Sequence, residues 1–425
     1  MKATELSKRI EDAPTCSVRL DHFKQMMACL LEALPRQGKH PSETLMTLVA
    51  EKRGEKDMLI AYGSAAFGSV RLELWCEAKI ETPGCCTVDV KSMALWAAQQ
   101  QGDVPCKMKP MEDSILLMAK SKMRFPVYID FDKDRGMHGG FSDEPEPGKF
   151  GGWMFRSAEA WSSVEHAAAS ASDDDLRPAM ACILVEGKAE DKALVRATGC
   201  TSHRIGTSEA ASIGFDMGGD PWPGGIISGL VPRRAVDAIG AVKGTPENHS
   251  ISFWRSGNGS VAGGRLWVVF PDGLGACASF HAPDGVFPEA VSVVERVTAS
   301  GGKAVSVEIE EIERAIKVSK IAAASEAPRF KVRIQSDGLL VMAKSEPKRM
   351  QSAEHVAASA VADLSEDSAT EFHFYAPEAL GVIRNLKRGQ VKITFGRTPK
   401  DPALLEDSVG KTSVLTTVNP DMAHS

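Results

Sequence analysis

Leu230-Val231-Pro232-Arg233-Arg234-Ala235-Val236-Asp237-Ala238-Ile239 passes from an extended apolar pair, through a proline, into apolar residues at helical spacing. A similar strand-to-helix passage occurs twice more, in Val88-Asp89-Val90-Lys91-Ser92-Met93-Ala94-Leu95-Trp96, which has no proline, and in Phe374-Tyr375-Ala376-Pro377-Glu378-Ala379-Leu380. Pro232 and Pro377 suit a first helical turn, where a missing N–H costs nothing. Each passage follows a short strand and precedes alternating ones: Ser114–Ala119, Ser250–Trp254 and Lys392–Phe395. A second helix type opens at Val18-Arg19-Leu20-Asp21-His22-Phe23, at Phe155-Arg156-Ser157-Ala158 and at Val307-Glu308-Ile309-Glu310. Its apolar stripes run through Phe23, Met26, Met27, Leu30, Leu31 and Leu34 in the first case, and Ile309, Ile312, Ile316 and Ala323 in the third. Two helix types recurring in a fixed order mark an internal repeat.

The 425 residues therefore read as three α+β units, each with two helices packed on antiparallel strands. A flexible, charged arm covers 1–14, and the units cover 15–135, 153–295 and 303–425. The Gly-, Pro- and acid-rich stretch Asp132 to Gly152 and the run Thr298 to Gly302 have linker compositions. Pro347 to Thr370 reads as an irregular or partly helical excursion.

A hydrophobic content of 43% with 25% charged residues excludes collagen-like, coiled-coil and disordered chains. No run approaches the roughly eighteen apolar residues a membrane helix needs. The N-terminus mixes charges without an apolar signal core, so a cytoplasmic protein is expected. The nine cysteines include no CxxC and read as packed, reduced thiols. Phosphate-loop, dinucleotide-loop, HExxH and GxSxG patterns are all missing, and the ten histidines lack metal-ligand spacing. No catalytic group, metal or cofactor is expected. Gly257-Asn258-Gly259 fits a hairpin turn, and Asp173-Asp174-Asp175 a solvated turn.

The net charge of −6 argues against a simple polycation, yet the bases are unevenly placed. Arg314, Lys317, Lys320, Arg384, Lys387 and Arg388 lie away from the apolar stripes of the third unit's helices. Arg233 and Arg234 open the matched helix of the middle unit, Lys91 that of the first, and Lys24 lies on the first unit's other helix. Any amphipathic helix turns charge outward. Recurrence on matched helices points further, to a polyanion-facing surface. No aromatic residues interleave with these bases, so duplex phosphates fit better than stacked single strands.

At these residues the chain resembles the bacterial DNA sliding clamp, the beta subunit of replicative DNA polymerase III, over roughly residues 16 to 421. Arg177-Pro178 with Ile183-Leu184-Val185-Glu186 looks like that family's opening of its middle domain. Ala197-Thr198 through Ser202-His203-Arg204-Ile205 is similar to its A-T-D-G-H-R-L segment, with Gly199-Cys200 inserted, so its threonine matches either Thr198 or Thr201. Val231-Pro232-Arg233-Arg234 resembles V-P-R-K, Asp284-Gly285-Val286-Phe287-Pro288 resembles D-G-x-F-P, and Ala119 to Phe125 resembles the R-S-G-x-S-R-F strand.

The resemblance implies a homodimer closing head-to-tail into a six-domain ring, with helices lining the hole and sheets outside. It implies a processivity factor and not an enzyme, with duplex DNA, the polymerase catalytic subunit and a clamp loader as partners. It also implies a partner-peptide groove made by Met180, Thr201, Ser202, His203, Arg204, Ile205, Pro288, Val293, Thr417, Asn419 and Pro420. Two departures alter that groove: Ser292 stands where the family has arginine, and Asp421 where it has methionine. A clamp-like decoy that binds polymerase peptides without encircling DNA is the alternative.

Overall fold

A computed structural model describes residues 13–33, 44–65, 70–112, 114–128, 150–174, 176–190, 192–217, 222–256, 260–283, 285–300, 302–323, 328–345, 350–363, 370–386 and 389–418. The first stretch of chain forms β1 (Thr15–Arg19), α1 (Leu20–Ala33), β2 (Leu45–Arg53), β3 (Lys56–Ala65), β4 (Val70–Thr82), β5 (Gly84–Asp89), α2 (Val90–Gln99), β6 (Pro105–Pro110), β7 (Ser114–Met118) and β8 (Lys122–Pro126). The second forms β9 (Phe150–Phe155), α3 (Ala158–Ser170), β10 (Cys182–Lys188), β11 (Ala193–Cys200), β12 (Arg204–Met217), β13 (Ile226–Pro232), α4 (Arg233–Gly240), β14 (Asn248–Arg255), β15 (Val261–Val269) and β16 (Gly275–His281). After α5 (Ala290–Ser300) comes the third: β17 (Lys303–Glu308), α6 (Ile309–Ala323), β18 (Arg329–Gln335), β19 (Gly338–Ser345), β20 (Met350–Asp363), β21 (Glu371–Tyr375), α7 (Ala376–Ile383), β22 (Gln390–Thr394), β23 (Ala403–Asp407) and β24 (Thr412–Leu415). A strand, a helix and three strands, twice over, make up each stretch.

Pairing repeats with the order. The first strand of each stretch runs antiparallel to its fourth and sixth: β1 to β4 and β6, β9 to β12 and β14, β17 to β20 and β22. The contacts of the chain gather into two compact units, and the second stretch contributes to both. In the first unit β4 is shared between two sheets: Val70–Trp75 lies between β3 and β16, while its C-terminal end pairs with β1. Helix α1 buries Phe23, Met26, Met27 and Leu30 and packs on α2 and α4. In the second unit α6 buries Ile309, Ile312 and Ile316 against α7 and the strands β18 to β20. Each such aliphatic side chain contributes roughly 1.5–3 kcal/mol by leaving water.

Local chemistry sets the helix starts. Asp89 caps α2, its carboxylate accepting from Ser92 N–H at 2.8 Å. Pro232 is the residue just before α4, and Pro377 sits in the first turn of α7. The stripe of α1 ends earlier than the sequence suggests: Leu31 is 39% exposed, because it falls beyond the edge of the packed face. Leu34 lies outside the described residues, as do Gly257 to Gly259 and residues 1–12 of the N-terminal arm.

Three expectations about connections are corrected. Phe150, Gly151 and Gly152 belong to β9 rather than to a linker, held by ladder bonds to β12 and β14. Thr298 to Ser300 form the last turn of α5, since Val297 is buried and anchors that end. Met350 to Asp363, read as irregular or partly helical, is one long strand pairing with β19 and then with β17. All nine cysteines are free thiols, and burial pushes several up, Cys16 to about 12. No helix among the described residues is long and apolar enough to cross a membrane.

Candidate functional site

The turn before β12 organises one corner of the second unit. Thr201 Oγ1 accepts from the backbone N–H groups of His203 and Arg204, both at 3.1 Å. Thr201 N–H donates to Arg204 O at 2.8 Å. A hydroxyl serving two amides fixes a tight loop. The loop leaves Ser202 and His203 exposed and carries Ile205 into the interior. The gap behind it is closed by glycine: a Cβ at Gly199 would lie 1.9 Å from Ala167 O of α3. Strand and helix touch there at backbone distance, which gives the inserted Gly199 a structural reason.

Chain leaving β24 forms the next wall. Leu415 pairs with Arg204, and Thr416 donates to His203 O from both N–H (2.9 Å) and Oγ1 (3.0 Å). Half-buried Thr417 follows, and Val418 N–H donates to His373 O at 2.8 Å. The floor is a buried apolar cluster of Cys200, Ile205, Ala290, Val297, Leu404 and Val414. Met180, Phe287, Val293 and Val294 pack on it and stay partly exposed. Pro288 is exposed beside Phe287, its carbonyl accepting from Ala290 N–H at 2.7 Å. Met180, Ile205 and Val293, well separated in the sequence, thus meet in one apolar patch. A buried floor ringed by half-exposed apolar groups can accept apolar side chains of a peptide. Asn419 and Pro420 lie outside the described residues.

Three polar residues of this corner escaped the sequence reading. The His203 ring stands edge-on to Tyr375 with centroids 5.4 Å apart. The Arg329 guanidinium lies 5.3 Å from the same Tyr375 ring and donates to its hydroxyl at 3.2 Å. Arg204 ion-pairs with Glu378 at 3.2 Å, their side chains only 14% and 26% exposed. Tyr375 and Glu378 sit in the recurrent strand-to-helix passage, but no spacing rule links that passage to Arg204. Beside Arg329 and His373, an open cleft of about 710 Å³ is also lined by Lys331, Met342, Lys344 and Gln351. It is cationic where the groove is apolar. Burial, then Lys331, pushes the His373 imidazole down, so it is neutral near pH 7.

Four of the helical cations are matched by carboxylates. Arg233 pairs with Asp237 at 3.1 Å, Arg314 with Glu354 at 2.9 Å, and Lys317 and Arg384 share Glu313 at 2.8 and 3.2 Å. Lys317 and then Arg384 hold the Glu313 carboxyl below the usual range. Lys24 donates to Gln100 O at 2.6 Å, just past the end of α2. Arg234 is half-buried, while Lys91 and Lys320 are exposed; Lys387 and Arg388 lie outside the described residues. No group of His, Cys, Asp and Glu that could hold a metal occurs among the described residues.

No protein-family model matches the chain, and no curated protein does. Solved structures do. A DNA polymerase sliding clamp from Pseudomonas aeruginosa, crystallised with a ligand, is 15% identical, with a TM-score of 0.68 over 96% of this chain and 100% of that one. The beta sliding clamp of C. crescentus is 16% identical with a TM-score of 0.69, covering 96% and 99%. The sliding clamp of Bacillus subtilis is 12% identical with a TM-score of 0.69, covering 96% and 99%. At these identities the likeness shows the fold: this α+β, mainly antiparallel architecture is that of the bacterial sliding clamps.

Proposed function

We propose that the chain is a DNA sliding clamp, a non-enzymatic processivity factor that encircles duplex DNA as a homodimer in the cytoplasm. Strand pairing carries the proposal. In the first unit β16, the last strand of its stretch, runs against β4, the fourth strand of the first stretch. In the second unit β24 runs likewise against β12. The same rule sends β8 against β20. Among the described residues β8 pairs along its length only with β7, and Met350–Ala357 only with β19. Open edges invite another chain, and Met123 and Met350 on them are 45% and 40% exposed. A second copy supplies the missing neighbour to each edge, and two equal junctions close a head-to-tail ring. The three stretches are then clamp domains over 15–135, 153–295 and 303–425, the middle one extended to Phe150 by its first strand.

The ion pairs on the helices suit sliding. Exposed pairs are worth about 0–1 kcal/mol, so passing phosphates can compete for the cations without arresting the ring. After a clamp loader has acted, the protein is expected to stay on circular duplex and to leave once the circle is cut. Equal loss from both topologies, measured by gel filtration of the complex, would overturn encirclement.

The groove is the tether for a polymerase catalytic subunit and the loader, taking a short, partly apolar segment. Gly381 tests it. A Cβ there would lie 2.2 Å from Arg204 Nη1 and displace the guanidinium from Glu378. Alanine favours a helix over glycine by about 1 kcal/mol, so α7 should persist. Gly381→Ala is expected to melt like the parent yet bind an apolar polymerase peptide about tenfold more weakly, a loss of ~1.4 kcal/mol. Unchanged anisotropy titrations would remove Arg204 from the groove.

A further inference from the structure

We infer that the outer strand face of the first stretch is a second nucleic-acid surface, one that takes duplex phosphates without reading bases. β4, β1, β6, β7 and β8 lie side by side, and their registers place Lys79, Ser17, Lys107, Met118 and Lys122 in one row. Two residues along, Lys109, Leu116 and Arg124 form the next row. The intervening Cys16, Val18, Cys106, Met108, Ile115, Leu117 and Phe125 point into the core, so all five cations share the opposite face. Each of the five is exposed, and none has a hydrogen-bond or ion-pair partner among the described residues. The helical cations Arg233, Arg314, Lys317 and Arg384 differ in being paired. Five exposed cations of the first stretch thus lie on one strand face with no carboxylate among the described residues to neutralise them.

The spacing selects an extended anion. Strands lie about 4.8 Å apart, which puts Lys79 and Lys122 roughly 19 Å from each other, while neighbours two residues along one strand stand roughly 7 Å apart. No two cations converge on a point, so a single small anion is poorly served. Ser17, Leu116 and Met118 fill the grid, and no acid lies within it. Glu77 and Glu81 flank Lys79 along β4, and Glu77 is taken up by Lys56. Half-buried Leu116 and Met118 offer little apolar area, whereas a protein partner needs an apolar centre to its interface. Lysine-rich point charges on a flat face suit backbone contact.

The test uses a covalently closed duplex minicircle with no loader present, so that no end can thread a ring. Five phosphate contacts predict that log affinity falls against log salt with a slope of about −4.5. Replacing Lys79, Lys107, Lys109, Lys122 and Arg124 by Gln is expected to remove most of this binding and flatten the slope. A variant with only Lys79, Lys107 and Lys109, which lie off the β8 edge, replaced by Gln should bind the minicircle more weakly yet still be retained on circular duplex once loaded, which separates this surface from encirclement. Lys91→Gln with Lys320→Gln should bind the minicircle as the parent does. Minicircle binding that survives the five replacements, or that disappears with the helical pair instead, would overturn the assignment. So would a parent protein that binds polyglutamate but no minicircle.

Discussion

Met123→Cys combined with Ser352→Cys is expected to convert the protein, on mild oxidation, almost wholly into a covalent dimer of twice 45.6 kDa. The register comes from the two junctions already formed within the chain. Phe280 opposes Val70 where β16 meets β4, and Leu415 opposes Arg204 where β24 meets β12. Phe280, Leu415 and Phe125 are each the last buried apolar residue of a final strand. Val70, Arg204 and Met350 each open a fourth strand. The third junction therefore sets Phe125 against Met350 and Met123 against Ser352 of a second copy. Ser352 faces inward, its hydroxyl 3.4 Å from that of Ser319 on α6, as the alternation requires.

Opposed residues of an antiparallel pair have Cα atoms about 4.5–5.5 Å apart, inside the roughly 4.4–6.8 Å a disulfide spans. Native thiols interfere little: seven are buried, and Cys85→Ser removes the exposed one. Met123→Cys with Met350→Cys is offset by two residues, about 7 Å, and should cross-link far less. Non-reducing gels decide the matter. A monomer from the first pair, or equal cross-linking from both, would exclude this junction.

The strand-to-helix passages were legible because a preceding short strand and a following apolar stripe, joined by a proline in the second and third cases, mark the same boundary. β20 was not. Ala353, Ala357, Ala358, Ala360 and Ala362 favour a helix locally, and only neighbouring strands make that segment extended. The residues of the apolar patch, Met180, Ile205 and Val293, could be named together from a resemblance, whereas Glu378 and Tyr375 come near Arg204 and His203 only through the fold. Charge pairing divides along the same line. Arg233 with Asp237 and Glu313 with Lys317 are four residues apart on one helix and readable from spacing. Arg314 with Glu354 and Arg384 with Glu313 join separate elements, so a helical face that reads as basic is in fact mixed.

Acid should destabilise the first unit through one histidine. His249 is fully buried, stacked on Phe155 at 4.6 Å and edge-on to Trp161 at 5.5 Å. Neither ring nitrogen has a hydrogen-bond partner among the described residues. Burial alone pushes the imidazole from 6.5 down to about 4. A base whose folded value is depressed is held neutral by the fold, while the unfolded chain takes up the proton from pH 6.5 downward. Stability is then intact above pH 6.5, falls as pH drops towards 4, and levels below it. The loss attributable to this group is about 3 kcal/mol, from 1.36 kcal/mol for each pH unit of the shift. His166, buried in the second unit and also shifted down, adds in the same direction. His249→Leu keeps an apolar filling and has nothing to protonate. Denaturant titrations at pH 7 and pH 4 should show the parent losing about 3 kcal/mol more than this variant. Parallel losses in the two proteins, or an imidazole resonance for His249 titrating near pH 6.5, would show that the ring is not held neutral by its burial.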